Sequence, residues 1–166
     1  HRILGGVDFF SRKEIKDLVA YVHIAVNPRS TLHLERVLNT PPRGIGKATL
    51  EKYKKIAARD GISLFDAILP AASGHDGIRT FVNLLNNIHR LAEKSSVFEI
   101  LNEVLFQTKY YNYLKQRIKD SPNERTSNVQ ELVSVAQVFC HDNKETGLDH
   151  IQTWLDWASI MSSEDE

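Results

Sequence analysis

The sixteen residues 40–55, TPPRGIGKATLEKYKK, combine residue types that could hold a phosphate group. The two prolines keep the chain extended, because proline fixes its own φ and disfavours the α region in the residue before it. Gly44 and Gly46 permit backbone angles that are closed to other residues, and the apolar Ile45 between them can anchor the turn. If a helix begins at about Lys47, its unpaired N–H groups and the positive end of its dipole together favour an anion there.

Basic side chains surround this turn. Residues 40–59 contain six cations and one acid, although the 21 basic and 21 acidic residues of the whole chain cancel. Lys47, Lys54 and Lys55 are predicted to share one side of the helix, away from its apolar positions. Contacts of this kind hold phosphates and do not read bases, so no sequence specificity is implied. The stretch also fits a plain turn between helices with a solvated basic face, and its residues alone leave both interpretations open.

No other group of residues predicts catalysis or a metal site. The chain has no P-loop and no dinucleotide fingerprint, and no two of its seven histidines are four residues apart, the spacing that places two imidazoles on one helical face. Cys140 and His141 are adjacent, so on a helix they point about 100° apart and do not pair as nucleophile and base. Carboxylates such as Glu14 and Asp17 are interpreted as parts of caps and solvated faces. We therefore expect no catalytic residue, metal or cofactor in this chain.

Aromatic residues gather in two places. Trp154 and Trp157 are three residues apart and could form a stacking or partner-binding ridge, although packing in the core or at its boundary is favoured for such residues. Tyr110, Tyr111 and Tyr113 are interpreted in the same way.

These residues must be positioned by helices, because apolar residues recur at helical spacing along most of the chain. The pattern predicts an all-α domain of eight or nine helices in which the GIG turn joins two of them. Ser96 with Glu99, and Ser11 with Glu14, have capping-box spacing. Only the opening HRILGGVDFF could form a short strand. The predicted helices cover residues 12–26, 30–38, 47–59, 63–69, 81–91, 97–105, 110–119, 129–139 and 148–158.

Composition limits the function classes. With 166 residues, 42% of them hydrophobic, the chain fits one domain, and its zero net charge means that attraction to nucleic acid would have to be local. The single cysteine, Cys140, excludes an internal disulfide and is typical of a reducing compartment such as the cytoplasm. No apolar run approaches the roughly 20 residues that cross a bilayer, and no signal pattern is visible, so no membrane partner is expected.

Two stretches resemble a known family. GGVDFFSRKEIKDLVAYVHIAVNP, residues 5–28, and ERVLNTPPRGIGKATLEKYKKIA, residues 35–57, are similar in order and separation to the UvrD/Rep/PcrA family of superfamily 1 DNA helicases. The similar region is the junction where the second motor subdomain leads into the inserted helical subdomain called 2B. TSNVQELVSVAQVF, residues 126–139, resembles a later helix of that insertion.

The resemblance implies a fragment of a larger protein. Residues 1–12 would end the second motor subdomain or hinge, residues 13–160 would form the 2B domain, and residues 161–166 would be an acidic tail or return hinge. The parent would be a bacterial, cytoplasmic and nucleoid-associated helicase that moves 3′ to 5′ and uses ATP and Mg²⁺ bound outside this chain. Its expected partners are the backbone of duplex DNA or of a single-strand/double-strand junction, the motor subdomains, and a protein partner or a second copy.

In the family the 2B subdomain contacts the duplex through the GIG turn, and its orientation regulates unwinding. The alternative from another class is a helical protein-interaction module that regulates the helicase or recruits a partner through the tryptophan region or the acidic tail. Arg29, Ser30 and Thr31 stand where acidic residues often follow the family's Asn-Pro. The DNA-contacting residues carried over or predicted from the charge pattern are Thr40, Arg43, Gly44, Ile45, Gly46, Lys47, Lys54 and Lys55.

Overall fold

The computed structural model describes residues 9–165 of the protein, with side chains as far as residue 162. That range contains nine α-helices, two short 3-10 helices and no strand, which confirms the all-α prediction. The short strand predicted for the opening residues 1–10 falls mainly outside the described range, and its last two residues, Phe9 and Phe10, belong to a 3-10 helix, Phe9–Ser11. The helices are α1 Lys13–Val26, α2 Thr31–Val37, α3 Lys47–Asp60, α4 Leu64–Ile68, α5 Asp76–Ala92, α6 Val97–Thr108, α7 Tyr110–Arg117, α8 Pro122–Asn143 and α9 Leu148–Asp165.

Helix α1 lies at the centre of the molecule, where it packs against α2, α5, α6, α8 and α9. Most of its apolar stripe is buried, as the helical spacing of those residues predicts, while Val19 and Val26 are partly buried against the core. One continuous apolar core joins α1 to the other helices, and α3 contributes no fully buried residue to it. The protein is therefore built around α1, with α3 on the outside.

Glu14, in the first turn of α1, is buried among polar partners. Its carboxylate accepts hydrogen bonds from Arg125 Nη1 at 3.0 Å and from Asn128 Nδ2 at 2.8 Å, both on α8. The predicted capping box of Ser11 and Glu14 is wrong, because α1 begins at Lys13 with the extended Arg12, not Ser11, as its N-cap. Glu14 fastens α1 to α8 instead.

Asp17 is the second buried carboxylate of α1, so the interpretation of these two acids as solvated or capping groups is also wrong. It accepts hydrogen bonds from Lys13 on its own helix, from Arg36 Nε on α2 at 3.0 Å and from the Tyr110 hydroxyl on α7 at 2.9 Å. Burial and the neighbouring Asp17 raise the pKa of Tyr110, which keeps that hydroxyl a donor. Three elements are thus tied together by one carboxylate.

The remaining helices follow their predicted periodicity, with a difference at the start of α8. Ser96 and Glu99 form the predicted capping box at the start of α6. Helix α8 begins at Pro122, two turns earlier than its apolar stripe indicates, because proline is well tolerated in a first helical turn. Trp154 is fully buried and Trp157 is partly buried, in agreement with the core-or-boundary interpretation.

Candidate nucleic-acid interface

The turn between α2 and α3 is organised by Asn39, a residue that the sequence analysis did not single out. Its side-chain oxygen accepts hydrogen bonds from the N–H groups of Arg43, at 2.6 Å, and Ile45, at 3.1 Å. Ile45 is buried in the core, as predicted for the anchor of the turn, and the Thr40 carbonyl accepts a hydrogen bond from the Tyr21 hydroxyl. Asparagine commonly bonds nearby backbone in turns, which is the signal that could have identified it.

Arg43 points into the protein. Its guanidinium donates to the carbonyls of Val37, at 2.8 Å, and Leu38, at 3.0 Å, at the end of α2, and to the Tyr21 hydroxyl at 2.7 Å. It also lies over the ring of Phe81, 5.1 Å from the centroid. Burial raises the pKa of Tyr21 to about 12 although Arg43 opposes the shift, so the hydroxyl stays protonated and donates onward to the turn. The Arg43 side chain therefore supports the turn, whereas the adjacent residues Pro42 and Gly44 are exposed to solvent.

Gly44 and Gly46 face solvent at the turn, whereas Gly77 of α5 packs against the backbone of the turn. Gly44 has φ of 75°, a left-handed conformation that favours glycine, and a Cβ added at Gly44 or Gly46 would meet nothing within 4 Å. By contrast, a Cβ on Gly77, in the first turn of α5, would lie 1.9 Å from the carbonyl oxygen of Arg43. The first turn of α5 is therefore in close contact with the backbone of the turn. No local pattern in the sequence indicates this contact.

Helix α3 starts at Lys47 with Gly46 as N-cap, and no side chain accepts a hydrogen bond from its first turn. Its first backbone hydrogen bond runs from the Leu50 N–H to the Gly46 carbonyl at 3.0 Å, so the N–H groups of residues 47–49 have no partner among the described residues. The first turn contains no acidic residue. In contrast, side chains cap the starts of α4, α5 and α6.

The three predicted lysines of α3 divide into two groups. Lys47 and Lys55 are exposed and make no ion pair with any described residue. Lys54 pairs with Glu35 on α2 at 3.1 Å and with Glu51 at 3.5 Å, and its hydrogen bond to Glu35 raises its pKa. The predicted common face is therefore divided, with Lys47 and Lys55 available for a ligand and Lys54 already compensated.

Over the described residues, 9–165, no three or more His, Cys, Asp or Glu side chains lie where they could hold a metal ion. In that same part of the chain no helix combines the length and apolar character needed to cross a membrane.

Within the described part of the chain, fold and site together define an all-α domain. It presents on one edge a glycine turn, the start of α3 without a capping side chain, and two lysines without ion-pair partners. This combination suits a phosphate oxygen, since donors, dipole and positive charge converge there.

Comparison with known proteins places the chain in a family. All of residues 1–166 match the UvrD-like helicase C-terminal domain family, and the chain belongs to that family. It is 32% identical over 145 residues to the ATP-dependent DNA helicase PcrA of Bacillus subtilis, covering 84% of this chain and 20% of that protein. Identity to the PcrA helicases of Staphylococcus epidermidis and Staphylococcus aureus is 29% and 28%, over the whole of this chain. The chain spans about a quarter or less of the length of these relatives.

Proposed function

We propose that this chain is the duplex-DNA-binding and regulatory 2B subdomain of an ATP-dependent 3′ to 5′ DNA helicase, and that it holds the DNA backbone at the start of α3. The observation that carries the proposal is the uncapped first turn of α3, whose N–H groups the glycine turn presents to solvent. Family membership supports it, and so do the names of the relatives given above, which are ATP-dependent DNA helicases.

Binding would follow from elementary electrostatics. A phosphate oxygen at the N-terminus of α3 would accept hydrogen bonds from the N–H groups of residues 47–49 in the favourable field of the helix dipole. The side chain of Lys47 could approach the same phosphate, and Lys55, eight residues further, lies about 12 Å along the helix axis, within reach of another. This chain would perform no chemistry itself, and the parent would bind ATP and Mg²⁺ elsewhere.

The sharpest test is Gly46→Asp. The added side chain meets open space at an ordinary φ of −74°, so the fold accepts it, and an aspartate at the N-cap stabilises a helix. The same carboxylate would occupy the N–H groups and repel a phosphate. We expect unchanged or slightly higher resistance to urea, together with at least about tenfold weaker binding of a short hairpin duplex.

The matched control is Gln137→Glu on α8, whose neighbours are α1, α6 and α7, because it makes the same change in net charge away from the turn. Its binding should equal that of wild type. Wild-type affinity should also fall as salt rises, since neutralised phosphates release counterions. If Gly46→Asp binds the hairpin as tightly as wild type, or if the affinity does not change with salt concentration, the proposal that α3 holds a phosphate is contradicted.

One observation favours the second candidate, a protein-interaction module. Trp154 is buried and cannot contact a partner, but Trp157 lines a hollow of about 440 Å³ with Val135, Val138 and Phe139, and Val138 is 60% exposed. Sedimentation of wild type and Val138→Glu, alone and with the motor subdomains of the parent, tests this candidate. An association that Val138→Glu abolishes and Gly46→Asp leaves intact would favour it.

A further inference from the structure

A second basic segment lies away from the turn, in and beyond α7. Residues 109–119, KYYNYLKQRIK, contain four cations and no acid, and all four cations are exposed. None of them makes an ion pair with a described residue. Because the whole protein has no net charge, this segment is a second local excess of positive charge besides α3. It lies outside the GIG turn, so binding at that turn does not explain it.

Aromatic side chains stand beside these cations. Phe106, near the end of α6, is 76% exposed, and it lines a hollow of about 480 Å³ together with Lys109 and the half-buried Tyr111. Lys109 joins α6 to α7 in a left-handed conformation, with φ of 53°, which is uncommon for a residue other than glycine. Lys115 follows Tyr111 by one helical turn and therefore lies on the same side of α7. We refer to Phe106, Lys109 and Tyr111 as the aromatic ledge.

A groove lies between the residues just before Gly44 and the hollow of the aromatic ledge. This groove of about 500 Å³ starts at Pro41, Pro42 and Arg43, passes polar side chains of α5 and ends at Gln107. Gln107 lines this groove and the hollow of the aromatic ledge alike. A chain molecule held at the turn could therefore continue along one surface to the aromatic ledge.

Electrostatics along this path permit a nucleic acid strand. Among the residues that the structure describes, no carboxylate lines the groove or the hollow. The nearby Glu103 keeps its negative charge, but its carboxylate accepts hydrogen bonds from Asn87 and Gln107 and lines neither the groove nor the hollow.

We infer that the aromatic ledge stacks an unpaired base of a DNA tail that continues from the duplex held at α3, with Lys109 and Lys115 near its phosphates. This inference rests on the proposed function. A nucleic acid occupant is favoured because exposed rings can stack on the π-face of any base while neighbouring cations attract the backbone. Binding would be indifferent to base identity and would distinguish a tailed junction from a blunt duplex.

The test compares a blunt hairpin with the same hairpin carrying a short single-stranded tail, using the 166-residue chain. We expect the tail to strengthen wild-type binding about fivefold or more. Phe106→Ala should remove that gain and leave binding of the blunt hairpin unchanged, whereas Phe106→Tyr, which keeps the ring, should retain it. A 2-aminopurine base in the tail should lose fluorescence on stacking with wild type and not with Phe106→Ala.

A charge variant adds an independent readout. Lys115→Gln should lower the salt dependence of binding to the tailed hairpin by about 0.7 in the slope of log affinity against log salt, with no change for the blunt one. If the tail gives no gain, or the gain survives Phe106→Ala, the inference is overturned and a protein becomes the better occupant.

Equal weakening of the blunt and tailed hairpins by Phe106→Ala would also overturn the inference. The proposed function is judged separately by Gly46→Asp, which should weaken both hairpins. If Gly46→Asp has no effect while Phe106→Ala removes the tail-dependent gain, the contact at the turn fails and the aromatic ledge is supported.

Discussion

Helices α1 and α3 have the same length, fourteen residues, and both begin with a lysine, yet the fold uses them in opposite ways. Helix α1 buries nine of its residues, including Glu14 and Asp17, and each of these carboxylates has hydrogen-bond donors from other helices. Helix α3 buries none, its first N–H groups lack acceptors, and Lys47 and Lys55 lack ion-pair partners among the described residues.

The comparison teaches that a charge count does not separate structural charges from binding charges. Partners within the fold make the polar groups of α1 part of its stability, because removing one partner would leave the other buried and unpaired. The polar groups of α3 can be left for a ligand because water satisfies them in its absence. Changes in α1 should therefore affect folding, and changes in α3 should affect binding.

The largest expected effect is that of Asp17→Ala. It leaves the buried Tyr110 hydroxyl without its acceptor and removes the counter-charge of Arg36, so we expect a loss of about 3 kcal/mol in the free energy of unfolding. Urea unfolding followed by circular dichroism measures it. The control on α3 is Glu51→Ala, an exposed acid, which should cost less than about 0.5 kcal/mol. Similar losses for both variants would contradict the distinction between the helices.

Gly77→Ala should have the second-largest effect. It tests how the core supports α3, because it displaces the turn before α3 without changing a residue of α3. The new methyl group would overlap the Arg43 carbonyl, and overpacking of this kind costs about 2 kcal/mol. Binding of a hairpin duplex should weaken as well, since the turn that presents α3 must shift. Gly74→Ala, whose Cβ meets nothing within 4 Å, is the matched control and should leave affinity unchanged. Wild-type affinity in Gly77→Ala would show that the turn does not depend on α5.

A smaller effect concerns the acid stability of α1. His23 on α1 stacks on His33 of α2 with ring centroids 3.8 Å apart, and burial, with His33 adding to it, lowers the pKa of His23 to about 4. Asp156 on α9 opposes the shift of His23, while burial, with Arg36 adding to it, lowers the pKa of His33. Because an unfolded histidine titrates near 6.5, only the unfolded chain takes up the proton as pH falls from about 6.5 to 4, and stability is lost over that window.

Because the ring is only partly buried, solvent screening should reduce the loss due to His23 to about 1 kcal/mol. His23→Gln should flatten the fall in unfolding free energy between pH 6.5 and 4, measured by urea titration at several pH values. His141→Gln, at the exposed end of α8, should leave the slope as it is in wild type. Equal slopes in wild type and His23→Gln would exclude a contribution from the stacked pair.

Local patterns in the sequence predicted the nine helices, the capping box at Ser96 and the position of the turn, because each depends on residues three or four apart. The partners of Glu14 could not be predicted in this way. Arg125 and Asn128 lie more than a hundred residues further along the chain, and only the packing of α1 on α8 brings them close.

The same limit applies to the candidate site: its local features could be predicted from the sequence, but its contacts between helices could not. Spacing identified the two glycines and the buried Ile45. Tertiary packing determines that Arg43 points inward and that Gly77 contacts the turn, so neither could be predicted from spacing. The division between Lys54 and the other lysines likewise depends on Glu35, which belongs to a different helix.

The smallest expected effect divides α3 itself. Lys55 has no partner in the described part of the chain, so a phosphate contact there would release a counterion, and Lys55→Gln should lower the slope of log affinity against log salt by about 0.9 for duplex DNA. Lys54→Gln should lower it by less, because Glu35 and Glu51 already compensate that ammonium. Both substitutions should leave unfolding free energy within about 0.5 kcal/mol of wild type, as exposed charges usually do. Equal changes in slope would mean that DNA displaces Lys54 from its ion pairs, and the unpaired state of a lysine would then not identify the phosphate contacts of α3.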